Sequence, residues 1–126
     1  MNNLKIIRKD NATFKLDIDH HRHNAISYLN FKYKWLSHYF KDLIPAKFII
    51  YKTHKGYHIY IYTKAKLDNK SIILMQTALG SDWLREIRNL YRIETKMTNN
   101  WNILFSFKND KLNEKYFATY TIKKSV

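Results

Sequence analysis

Between Phe48 and Thr63 the chain reads FIIYKTHKGYHIYIYT, two runs of alternating β-branched and aromatic residues separated by Thr53-His54-Lys55-Gly56. Such runs suit the pleated, half-buried surface of a strand, and a polar break containing glycine between them is hairpin chemistry. Gly56 is expected to supply a positive φ to the turn. Any fold for this chain must therefore accommodate a central antiparallel hairpin. A three-residue turn puts Lys52, His58, Tyr60 and Tyr62 on one face and Ile49, Tyr51, Ile59 and Ile61 on the other. A two-residue turn or a bulge changes that parity.

Upstream, Leu4–Ile7 reads as a short strand, and Thr13–Asp19 (TFKLDID) alternates cleanly. Phe14, Leu16 and Ile18 share one side, and Lys15, Asp17 and Asp19 the other, so this strand ends in two carboxylates on its open face. His20-His21-Arg22-His23 then leaves the sheet as a solvated polar loop. From Asn24, a candidate cap, the period changes. Ala25, Leu29, Tyr33, Leu36, Phe40 and Leu43 recur at helical spacing, with Lys32, Lys34 and Lys41 on the other face. Pro45 is expected to end that helix. Asn69–Leu79 is a second helix, Gly80-Ser81 a break, and Asp82 the start of a further helix to about Arg92. Its Arg85, Arg88 and Arg92 fall three and four apart, as one cationic stripe. Trp101–Lys108 (WNILFSFK) returns to strand character, Lys108-Asn109-Asp110 is a turn, and Phe117–Ile122 is a short edge strand.

The order β-α-β-β-α-β predicts an α+β fold of the ferredoxin-like or RRM-like plan. It implies one antiparallel sheet with helices on one face, extra short strands at both termini, and a single RRM-like domain over residues 1–126. In that plan the first strand lies beside the third, which brings Asp17 and Asp19 next to the strand that begins at Tyr57.

Composition narrows the functional classes. The 126 residues are 45% hydrophobic, enough for one modest core. There is no cysteine, which excludes disulfides, thiolate catalysis and cysteine zinc sites. No apolar run reaches membrane-span length and the start shows no signal-peptide pattern, so a cytoplasmic location without membrane partners is expected. Lys and Arg number 23 against 10 Asp and Glu, a formal charge of +13. A small chain with that excess calls for a polyanion, and nucleic acid, DNA or RNA, is the expected partner. The Asn-, Lys- and Ile-rich style suggests an archaeal virus or plasmid, and hence host cytoplasm.

Two carboxylates about 6–7 Å apart along a strand can share Mg²⁺ or Mn²⁺ and orient a nucleotide triphosphate. His58, with Lys52, Thr53 and Lys55 around the turn, would then hold phosphates. The plainer alternatives are solvated strand-end aspartates and a packed histidine. Tyr60 and Tyr62 read either as a stacking platform or as cross-strand packing. Arg85, Arg88 and Arg92 either grip a phosphate backbone or are solvated.

Leu16-Asp17-Ile18-Asp19, a helix, and then Tyr51–Tyr60 (YKTHKGYHIY) resemble the archaeo-eukaryotic primase and primase-polymerase superfamily. The resemblance covers about Thr13–Thr63. Asp17 and Asp19 match that family's hydrophobic-Asp-hydrophobic-Asp motif, and Thr53, Gly56 and His58 match its Gly-containing turn ending in a histidine. This implies an RRM-like catalytic core, with Asp17, Asp19 and His58 catalytic and Mg²⁺ or Mn²⁺ on the two aspartates. The family's third acidic motif has no counterpart in WNILFSFK. A nucleic-acid-binding module serving replication or nucleic-acid handling of a mobile element is therefore the leading expectation. A metal-dependent primase-like nucleotidyltransferase is the first alternative. A homo-oligomeric structural protein, such as a homodimer joined through exposed aromatics, is the second.

Overall fold

The computed structural model describes residues 11–96, 101–104, 107–108 and 111–124. The expected strand at Leu4–Ile7 lies outside them, as do positions 105–106 and 109–110 of the later strand-and-turn region. The elements are β1 (Phe14–Ile18), α1 (Ala25–Leu36), β2 (Ala46–Lys52), β3 (Tyr57–Thr63), α2 (Asn69–Ala78), α3 (Trp83–Thr95), β4 (Phe107–Lys108), β5 (Lys111–Leu112) and β6 (Lys115–Ile122). The main sheet has the order β1-β3-β2-β6, antiparallel throughout, and β4 pairs separately with β5. The architecture is α+β and ferredoxin-like in outline, and both helical segments expected after β3 form, one more than the β-α-β-β-α-β plan counts.

Alternation builds the core. Phe14, Leu16 and Ile18 of β1 pair with Ile61, Ile59 and Tyr57 of β3, and Phe48 and Ile50 of β2 continue the same face. Leu29 and Tyr33 of α1 and Met75 of α2, with Leu79 just beyond it, join this buried cluster. Each such fully buried side chain contributes about 1.5–3 kcal/mol. The Tyr33 hydroxyl is not orphaned there, since it donates to the Leu43 carbonyl at 2.6 Å.

Several local expectations change. Gly56 has no positive φ. It is needed because a Cβ there would lie 1.8 Å from the Ile18 carbonyl oxygen, so the hairpin crosses tight against the end of β1. The positive-φ glycine is Gly80, between α2 and α3. Helix α1 ends at Leu36, well before Pro45, where Ser37 turns back onto the carbonyls of Tyr33 and Lys34. Asn24 makes no side-chain cap bond, whereas Asp68 and Asp82 cap α2 and α3 through the amides of Ser71 and Arg85. Residues 101–104 are not a strand. The Trp101 and Ile103 carbonyls accept from Arg92 and Arg85 instead of from a sheet ladder. The final strand is longer than expected, at eight residues.

Strand β6 lies beside β2, which leaves the outer edge of β1 without a strand partner among the described residues. Helical groups satisfy it instead. The Lys15 and Asp17 amides donate to Gln76 Oε1 (2.9 Å) and Ser81 Oγ (3.0 Å), and their carbonyls accept from Arg85 Nη1 (3.0 Å) and the Asp82 amide (2.7 Å). An edge sealed this way cannot template further strand pairing. Glu86 anchors the network behind it, accepting from Gln76, Ser81, Arg85 and Asn89.

Candidate functional site

The β1–β3 register sets Asp17 directly opposite His58, on the sheet face away from α1. His58 Nε2 is 3.7 Å from Asp17 Oδ1, and its Nδ1 is 2.6 Å from Glu114 Oε2. The Tyr60 hydroxyl donates to that same Glu114 oxygen at 2.5 Å. The acid and the histidine are thus brought together, but with an unexpected third member. Glu114 sits one residue before β6 and carries no periodic signal in the sequence. Only the strand pairing of β6 with β2, and of β2 with β3, delivers it to His58.

This face is closed at the His58 end. His58 is 5% exposed and Tyr60 1%, and Lys15, Tyr51 and Glu114 are buried with them. A phosphate entering here would meet the Asp17 and Glu114 carboxylates on either side of the imidazole. Burial holds the Asp17 carboxyl above its ordinary value of 3.8, against the lowering influence of His58 and Arg85.

The metal implied by the primase resemblance does not fit the described residues. Asp19 lies beyond the last residue of β1 and is exposed, whereas Asp17 is half-buried beside His58. Among the described residues no group of three or more histidine or carboxylate side chains could hold a metal ion.

The expected phosphate ligands disperse. The loop between the hairpin strands has four residues, with Lys52 opposite Tyr57, one position away from the three-residue register. Lys52 consequently falls on the face opposite His58, with its ammonium 4.9 Å from the centre of the Phe117 ring. Thr53 closes the turn, its hydroxyl accepting from the Gly56 amide at 3.0 Å. Lys55 stands exposed at the tip, and Tyr62 is half-buried toward the far end of β3. Tyr60, buried on Glu114, offers no ring face for stacking. The arginine stripe is not continuous. Arg85 is buried in the β1-edge network, Arg92 is tied to Asn89 and Trp101, and Arg88 alone of the three is exposed.

A different surface gathers cations and aromatic rings. On the outer side of α1 and the turn after it, Tyr28, Phe31, Trp35 and Tyr39 are 59%, 64%, 58% and 69% exposed. Leu29 and Tyr33 are the buried side of the same helix, so the aromatics follow from helical spacing. Lys32 lies 4.6 Å from the Tyr28 ring centre, and the Trp35 and Tyr39 rings are 6.5 Å apart. Beside them a groove of about 860 Å³ separates the end of α1 from the end of β6. Lys34, His38, Lys41, Lys123 and Lys124 line it, with Asp42 as a lone carboxylate among them. Lys34 and Lys41 were legible in the sequence as cations of one helix face, although Lys41 falls beyond the end of α1. The aromatics were not separated from core residues, and the lysines after β6 join the groove only through tertiary structure.

No helix among the described residues is long and apolar enough to cross a membrane. Comparison with known proteins finds no matching family model, curated protein or solved structure.

Proposed function

We propose that this protein binds single-stranded nucleic acid on the outer surface of α1 and the adjoining lysine groove. The observation that carries this reading is the groove itself: four lysines and a histidine converge on one cleft, next to exposed tryptophan and tyrosine rings. Single strands are held by that combination, with cations tracking the phosphates and flat rings stacking on bases of any sequence. The +13 charge supports the same partner.

Within this reading the Asp17–His58–Glu114–Tyr60 cluster is a structural clasp joining β1, β3 and the entry to β6. It is polar because strand ends meet there, and every buried side-chain nitrogen or oxygen among the described residues has a partner.

Titration of a labelled oligonucleotide at several salt concentrations tests the assignment. Four engaged lysines give a slope of log affinity against log salt of about −3 for a single strand. Lys34→Ala with Lys41→Ala should roughly halve the slope, and Trp35→Ala should weaken binding by about 1–3 kcal/mol at any salt. A flat salt response, or a loss of binding on Asp17→Asn with the groove intact, would remove the proposal.

A further inference from the structure

Helix α3 is amphipathic in the reverse sense from a normal surface helix. Its inward side is polar, with Arg85, Glu86 and Asn89 buried against the edge of β1 and residues 101–103. Its outward side is apolar: Trp83, Leu84, Ile87 and Tyr91 are 68%, 40%, 55% and 62% exposed. The two sets are linked by helical geometry, since fixing 85, 89 and 92 inward turns 83, 87 and 91 to solvent. The exposed Lys70–Glu94 ion pair at 2.9 Å bridges α2 and α3. Leu74, one turn along α2 and 70% exposed, extends the same surface.

We infer that this face is a homodimer interface, in which α3 packs antiparallel against α3 of a second copy about a two-fold axis near Ile87. Three features favour a second copy over other occupants. The five side chains expose about 600 Å² between them, close to the apolar share of a standard interface that takes about 800 Å² from each partner. Antiparallel pairing is self-complementary: Trp83 meets Tyr91 of the second copy, and the helix dipoles oppose favourably. The charges around the face are of both signs, with Asp82, Arg88 and the Lys70–Glu94 pair. An anionic membrane or a nucleic acid would instead select a purely basic rim, and aliphatic Leu74, Leu84 and Ile87 offer bases nothing to stack on.

Sedimentation velocity from micromolar to millimolar protein, in low and high salt, tests this on the full chain. The wild type should approach twice its 15.4 kDa mass, more readily in high salt because each copy carries the same charge. Ile87→Glu and Tyr91→Glu lie on exposed positions, so each should keep the native circular dichroism and raise the dimer dissociation constant about 100-fold. Both should still bind oligonucleotide, which separates failure here from failure of the nucleic-acid reading. A monomer at every concentration, or a dimer indifferent to both substitutions, overturns the inference. So does monomer that sediments with anionic phospholipid vesicles and loses that binding on Ile87→Glu.

Discussion

His58 and Glu114 are 56 residues apart in the chain, and their side chains meet at 2.6 Å in a site where neither is more than 5% exposed. Tyr60 closes on the same carboxylate oxygen. A buried carboxylate shared by His58 and Tyr60 stabilises the sheet where β3 meets the entry to β6, and losing it removes a contact that both side chains make.

Glu114→Ala should therefore destabilise the fold by about 3–5 kcal/mol, as removal of one member of a buried pair does. Tyr60→Phe, which removes only one neutral donor, should cost about 1 kcal/mol. Urea unfolding followed by circular dichroism measures both. Oligonucleotide affinity under native conditions should be unchanged in each variant.

Arg85 and Arg88 should behave as opposites. Arg85→Ala strands Glu86 and uncovers the Lys15 carbonyl, at a cost of about 3–5 kcal/mol. Arg88→Ala alters an exposed position and should stay within about 0.5 kcal/mol. Equal effects in denaturant melts would contradict the buried network along β1.

Gly56→Ala should be more damaging than Gly80→Ala. At Gly56 the added methyl collides with the backbone of Ile18 and His20, which is rigid strand-end structure. At Gly80 an added Cβ would meet only side-chain atoms at ordinary contact distance, Lys32 Nζ at 3.4 Å and Ile18 Cδ1 at 3.6 Å, and the obstacle is the φ of +100°, worth about 1 kcal/mol. Thermal melts of the two variants should rank in that order.

Asp17 sets a pH dependence of definite sign. Its folded-state value is raised by burial, so the folded chain binds this proton more tightly than the unfolded chain does. Its contribution to stability is fully present below the ordinary value of 3.8 and is lost as pH rises through the raised folded value. Asp17→Asn should remove that downward component from a plot of unfolding free energy against pH. A variant whose stability falls more steeply than wild type on raising the pH would refute the assignment.

Much of the fold was legible because alternation and helical spacing are local. TFKLDID, the hairpin runs and the two helical segments after them form where their periodicity places them, whereas α1 starts on pattern but stops at Leu36, before Phe40 and Leu43. Less was legible where a single residue of register decides the outcome. The hairpin loop has four residues, and that one-residue difference moved Lys52 away from His58 and set Tyr51 beside it. Arg85 looked like one member of a solvent-facing stripe because its partner, the Lys15 carbonyl, lies 70 residues upstream. Glu114 is a lone acid before a strand, and nothing near it in sequence announces His58. Trp35 and Trp83 fit amphipathic patterns that fix the angle between two sides of a helix without saying which side faces in.

What decides between the groove and the sheet is where the polyanion sits. Fluorescence anisotropy of a labelled single-stranded oligonucleotide, measured across a salt series, compares wild type with Lys34→Glu/Lys41→Glu and with Asp17→Asn/Lys55→Ala. Charge reversal in the groove should abolish most of the affinity and flatten the salt dependence, while the hairpin-side variant stays within about threefold of wild type, the change expected from one lost surface cation. Groove variants that bind normally, together with loss of binding in the hairpin-side variant, would contradict it and return the site to the sheet.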